Sequence, residues 1–238
     1  MHTMFDKESH GKTIEALTAE FETDGERGLS AAEARRRLDS GGYNELKERP
    51  RPGFMALLWD QFNNFLIIIL IVAALISLAL GEYVDSVAIV LIVILNAVIG
   101  VVQESKAEQA LEALQKMSAP NASVIRDGAL ASIPGREVAP GDIVMLEAGN
   151  FVPADLRLIE SVNLKIEEAS LTGESVPVEK DASALLDPAA PLGDRINSAF
   201  MGTMISYGRG KGMAIGTGMN TQMGMIAEML QSFENEQT

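Results

Sequence analysis

The order of apolar and polar positions divides the chain into stretches with different periods. From Thr13 to Phe21, Ile14, Ala16, Leu17 and Phe21 recur at helical spacing and predict a short amphipathic helix. Leu29-Ser30-Ala31-Ala32-Glu33 sets an N-cap serine three residues before a carboxylate, which predicts a second helix running through Ala34 and Leu38. That helix should stop near Gly41-Gly42, where positive φ carries little steric cost. Lys47 to Gly53, with Pro50 and Pro52, reads as a linker.

Two apolar runs follow. Phe65 to Leu80 carries no charge, and Val87 to Val102 contains one polar residue, Asn96. Each is near the short end of the roughly 17–25 residues that a helical membrane span needs. Only Gly81 to Ser86 separates them, so a membrane hairpin is the expectation, with two buried helices of a soluble protein as the alternative. Lys47, Arg49 and Arg51 precede the first run, Lys106 and Lys116 follow the second, and the turn between them is acidic. By the positive-inside rule both ends face the cytoplasm, with Trp59 at the inner interface and Tyr83 at the outer one. Strong helix formers continue from Gln103 to Lys116. A helix from Ser86 to Lys116 would span about 31 residues and ~46 Å, long enough to leave the bilayer as a cytoplasmic stalk.

After Pro120 the period shortens to that of strands between turn signals. Ala122–Arg126 and Leu130–Pro134 flank Asp127-Gly128, a hairpin turn. Ile143–Leu146, Leu156–Glu160, Leu164–Glu167, Ala199–Met204 and Gly212–Gly216 follow as short β segments, and Met223 to Leu230 reads as a helix. The fold class is therefore a membrane protein of α+β type: a transmembrane helical hairpin with a stalk, plus a β-rich domain flanked by short N-terminal helices. The expected parts are a cytoplasmic helical segment at 1–58 packing with the β domain, a first span at 59–81, and a second span with stalk at 84–118. The β-rich domain covers 119–218 and a C-terminal helix 219–238.

Charge and composition narrow the chemistry. A net charge of −14 argues against a nucleic-acid surface, and the absence of cysteine removes disulfides, thiolate metal sites and a cysteine nucleophile. The two histidines, His2 and His10, lie in a polar N-terminal tail and read as solvated, so histidine-based catalysis is not expected. The first twenty residues are acidic and lack an apolar core, unlike a secretory signal. Gly11-Lys12-Thr13 lacks the upstream glycine of a phosphate-binding loop, and Gly208 to Gly212 reads as a plain turn. Asn121-Ala122-Ser123 is a sequon on the cytoplasmic side, where glycosylation does not occur.

The stretch Leu171-Thr172-Gly173-Glu174-Ser175-Val176-Pro177-Val178 holds one carboxylate between a glycine and two hydroxyl residues. Together with Pro140-Gly141-Asp142-Ile143-Val144, Val152-Pro153-Ala154-Asp155, Gly202-Thr203, Thr217-Gly218, the stalk Gln103-Glu104…Ala107-Glu108-Gln109-Ala110 and Gly42-Tyr43-Asn44-Glu45-Leu46, it resembles the P-type ATPases. The likeness is to the type II calcium pumps and sodium/potassium-type pumps. It implies an actuator domain of distorted jelly-roll form with the first two membrane spans of an ATP-driven cation pump, calcium being the suggested ion.

In that family the carboxylate matching Glu174 positions and activates the water that hydrolyses an aspartyl phosphate, with Thr172, Gly173 and Ser175 as the supporting loop. A bare turn-capping role is the alternative for Glu174. The family's D-K-T-G phosphorylation motif is absent, since Asp6-Lys7 runs into Glu8-Ser9. The resemblance thus implies that ATP and Mg2+ belong to the complete pump and that this chain alone is inactive. No cofactor or metal is expected in this chain. The implied partners are the phosphorylation and nucleotide-binding domains, the remaining spans and the lipid bilayer, with the cell membrane as location. A free-standing, membrane-anchored actuator-like module that binds or regulates a pump is the alternative.

Other residues stay open between two roles. Asp142 and Asp155 either bond local backbone or serve domain docking. Lys180 reads as a surface lysine, with contact to a phosphorylated partner as the other option. Asn63, Asn64 and Asn96 read as packing or interfacial groups and not as metal ligands.

Overall fold

The computed structural model describes residues 8–46, 59, 65–117 and 121–236. It contains two compact units, one of residues 1–47 and 119–238, the other of residues 48–118.

The first unit is built on an antiparallel sheet. Its strands are β1 (Asn121–Arg126), β2 (Ala129–Pro134), β3 (Ile143–Glu147), β4 (Asp155–Glu167), β5 (Val178–Glu179), β6 (Ser198–Ala199) and β7 (Met204–Gly216). The order is β2-β1-β3-β7-β4-β5, with β6 also on β4. β4 carries β7 along one edge, and on the other edge β6 at its start and β5 at its end. Leu156–Glu160 and Leu164–Glu167, expected as separate segments, form one strand that is bulged where Asn163 takes φ 49°. Ala199–Met204 is instead mostly a turn between β6 and β7. Asp127 (φ 52°) and Gly128 (φ 79°) make the two-residue hairpin turn that joins β1 to β2.

Gly208 to Gly212, expected as a turn, lies inside β7 and pairs with both β3 and β4. The reason is crowding. A Cβ on Gly208 would stand 2.2 Å from the Asn163 carbonyl oxygen, and one on Gly210 would stand 2.8 Å from that of Glu160. The glycines let β7 fit against the bulged strand.

Alternation along the strands sorts two faces. Val124, Val144, Leu146, Leu156, Leu158, Leu164, Ile166 and Ala214 bury one core. Ile143 and Met213 face the other way and meet Leu17 of α1 (Ile14–Glu20) and Phe21, the residue that caps its C-terminus. Ala34 and Leu38 of α2 (Ala31–Gly41) pack with Leu29 and Ala139. Thr13 and Ser30 cap these helices through their hydroxyls, and Gly42 (φ 87°) ends α2. Glu33 does not reach back to Ser30; it pairs with Arg36 and Arg37. Asn44 is buried and donates to the Gly135 and Pro153 carbonyls while accepting from Gly218 N.

Among the described residues the second unit is a helical pair, α3 (Phe65–Ala79) and α4 (Tyr83–Met117), joined through Gly81 at φ 84°. Ile67, Ala74, Val93, Ala97 and Val101 are buried, and the Ser86 hydroxyl donates to the Ala74 carbonyl at 3.0 Å. The remaining apolar side chains are largely exposed, as a lipid-facing surface would be. Tyr83–Gln103 is long and apolar enough to cross a membrane, whereas Ile67–Ala79 is a shorter apolar helix. Residues 60–64, within the expected first span, lie outside the described residues, as do Asn63 and Asn64. Asn96 is exposed on α4.

Candidate functional site

The strand β4 ends at Glu167, and Glu168 opens a single helical turn, α5 (Ala169–Thr172). The Glu168 carbonyl accepts from Leu171 N and Thr172 N, both at 2.9 Å, and from the Thr172 hydroxyl at 3.0 Å. Gly173 then closes the turn in the left-handed region at φ 79°, its N–H donating to the Ala169 carbonyl. This backbone is cheap for glycine and strained for other residues. Glu174 N donates to the Thr172 oxygen at 3.3 Å, so the threonine hydroxyl ties the turn from both sides. Glu174, Ser175 and Val176 are exposed, and among the described residues no ion pair or side-chain hydrogen bond holds the Glu174 carboxylate. The chain re-enters the sheet at Val178–Glu179.

Lys180 is not a surface lysine. Its ammonium lies 2.6 Å from Oε1 of Glu168, and both side chains are fully buried. The ammonium also donates to the Arg195 carbonyl at 3.5 Å and sits 5.5 Å from the centre of the Phe200 ring. Burial pushes the Glu168 carboxyl up and the Lys180 ammonium down, each partly opposed by the other's charge. Glu168 carries a signal that sequence reading missed: it continues the inward phase of Leu164 and Ile166, so alternation alone would bury it.

Asp142 and Asp155 both bond backbone, but in different ways. Asp142 accepts from Ala139 N nearby and takes a two-pronged contact from Arg126. Asp155 reaches across the fold to Met201 N at 2.8 Å and to Gln222 N at 2.7 Å, at the start of α6 (Gln222–Glu236). Burial raises its pKa from 3.8 to about 6, against the pull of these two N–H donors. Arg157 is buried and donates to the carbonyls of Leu158, Ala182, Ala184 and Asn197, pinning the 181–197 loop to β4.

His10 is likewise buried and not solvated. Its Nε2 donates to the Pro188 carbonyl at 3.1 Å, and its own carbonyl accepts from Asn197. Burial, then the charge of Arg195, lowers its pKa. The polarity of the tail hid this, because these contacts are made with residues distant in sequence.

The geometry thus defines a class: a β-rich domain that presents a preformed acidic turn, in one chain with a unit of apolar helices. Comparison with known proteins narrows it. The family described as "P-type ATPase actuator domain" matches residues 116–231, and "Cation transporter/ATPase, N-terminus" matches residues 9–77. "Calcium-transporting ATPase 1" of Bacillus cereus is 52% identical over 233 residues, 96% of this chain and 26% of that protein. "Calcium-transporting ATPase" of Bacillus subtilis is 48% identical over 205 residues, 86% of this chain and 23% of that protein. "Calcium-transporting ATPase lmo0841" of Listeria monocytogenes is 47% identical over 213 residues, 90% of this chain and 24% of that protein. The chain belongs to the P-type ATPase family, of which it carries the N-terminal region and the actuator domain. It spans about a quarter of the length of these curated relatives.

Proposed function

We propose that this chain is the actuator and membrane-hairpin portion of an ATP-driven cation pump, with calcium as cargo, and that Glu174 acts in dephosphorylation. The observation that carries the reading is the Glu174 carboxylate, exposed and unpaired among the described residues at the tip of an internally bonded turn. A phosphoryl-transfer transition state asks little of a protein beyond placing a nucleophile in line and accepting its proton. Glu174 accepts the proton of a water molecule as that water attacks phosphorus. The bond from phosphorus to the aspartyl oxygen breaks, leaving a free aspartate and inorganic phosphate. Thr172 holds the turn, Gly173 permits its close approach, and Ser175 is placed to orient the water.

A carboxylate beside a phosphate is repelled for most of a transport cycle, which suits a group mounted on a domain that moves. The phosphorylated aspartate, ATP and Mg2+ would be held by other domains of the pump. Among the described residues no three carboxylate or imidazole groups converge on a metal position. Calcium follows from the names of the relatives. The basic flanks of the apolar helices and the acidic turn at Glu82 favour a cell-membrane location with both ends of the chain in the cytoplasm.

The test is a chimera in which this chain replaces the matching quarter of the Bacillus cereus relative. With Glu174→Ala, phosphoenzyme should form as before and decay at least about a hundredfold more slowly, the scale of a lost general base. Unchanged decay would refute the role.

A further inference from the structure

The loop from Ala169 to Glu179 leaves the sheet and returns to it, and the two residues that bracket it face each other inside the domain. Glu168 closes the outgoing stem and Lys180 the incoming one, with 2.6 Å between Nζ and Oε1. Lys180 N also donates to the Leu164 carbonyl, so its backbone is fixed to β4. Among the described residues, no donor other than Lys180 reaches either oxygen of the Glu168 carboxylate. Two consequences follow from elementary energetics. A buried ion pair is seldom more stabilising than apolar side chains of the same size, so stability alone does not account for it. What such a pair does require is one short, directed contact, whereas apolar packing tolerates several arrangements.

That contact is linked to the tip of the loop through a short series of bonds. The Glu168 carbonyl receives Leu171 N, Thr172 N and the Thr172 hydroxyl, and the hydroxyl oxygen receives Glu174 N. Any displacement of the Glu168 backbone is therefore passed to Glu174 through the Thr172 side chain.

We propose that Glu168 and Lys180 are positioning residues, whose buried ion pair locks the two stems of the loop together and sets the direction in which Glu174 is presented. The importance of that direction for catalysis rests on the reading of Glu174 above; the ordering of the loop does not. The opposed effects of burial on the two groups, with their charges holding each other, agree with a pair that neither partner sustains alone.

The experiment has two arms, both with Lys180→Met and with the double variant Glu168→Gln/Lys180→Met, which keeps the volume and leaves no unpaired charge. The first arm is hydrogen exchange on the whole chain in lipid nanodiscs. The Thr172, Gly173 and Glu174 amides should exchange about tenfold faster in the double variant, while the β3 and β7 amides keep their rates. Unchanged exchange at the loop, or equal acceleration across the sheet, would overturn the proposal, because the pair would then be inert or merely part of the core.

The second arm measures phosphoenzyme formation and decay in the Bacillus cereus chimera, beside Glu174→Ala. The loop variants should slow decay about fivefold to tenfold and leave formation unchanged. If Glu174→Ala slows decay and the loop variants do not, the positioning role is wrong. If Glu174→Ala has no effect, the reading of Glu174 fails, and the pair is judged on exchange alone.

Discussion

Asp155 illustrates how one buried group can report on a junction. It bridges Met201 and the first residue of α6, and its pKa of about 6 lies above the ordinary 3.8 because burial outweighs two N–H donors. Its neutral form is therefore favoured by folding. The corresponding stability is fully present below about pH 3.8 and is lost as pH rises through about 6, amounting to ~3 kcal/mol. Urea unfolding of the sheet unit, compared between wild type and Asp155→Asn from pH 4 to 7, should give a difference between the two that follows this slope. A parallel pair of curves would mean that Asp155 titrates normally. Glu174 stands at the opposite extreme of environment, exposed and without a partner among the described residues. The role proposed for it depends on geometry supplied by Thr172 and by the αL backbone at Gly173.

The strands β4 and β7 owe their long pairing to residues that look like breakers. Gly208 adopts φ 79° opposite the bulge at Asn163, and a Cβ there would overlap the Asn163 carbonyl. Gly208→Ala should thus cost about 2 kcal/mol or more, read as a lower urea midpoint with the same slope. A neutral result would mean that the bulge relaxes freely. The same ribbon sets up the loop that carries Glu174, since β4 runs directly into Glu168 and β5 returns beside it. Arg157 adds a second tie, holding four carbonyls from three segments and, among the described residues, no carboxylate. Arg157 thus ties down the 181–197 loop, while the buried Glu168–Lys180 pair lies at the base of the neighbouring 169–179 loop, where Gly173 to Val176 are exposed.

The chain combines a sheet unit with a unit that, among the described residues, holds two apolar helices. The orientation proposed for the helical pair places the α3–α4 turn outside the cell. The natural absence of cysteine makes this simple to test: Glu82→Cys creates a single thiol in the whole chain. An impermeant maleimide should label it in intact cells, and labelling only after lysis would reverse the orientation. The acidic composition, with a net charge of −14, suits the cytoplasmic placement proposed for the sheet unit, since it repels anionic lipid.

Much of this could be read along the chain because its causes are local. The helix cap at Ser30, the stop at Gly42, the Asp127-Gly128 turn and the apolar run from Val87 to Val102 all depend on neighbours a few residues away. The order of motifs around Thr172 to Ser175 was enough to indicate the family. Tertiary structure decided where polar groups go. Lys180 and His10 read as surface residues until Glu168, Pro188 and Asn197 are brought to them. Glycines that read as a turn became the centre of a strand once Asn163 and Glu160 were packed against them. The physical reason is the same in each case. Propensity and periodicity follow from a residue's own backbone and nearest neighbours. Burial of a charge, or the room left for a Cβ, depends on atoms far away in sequence.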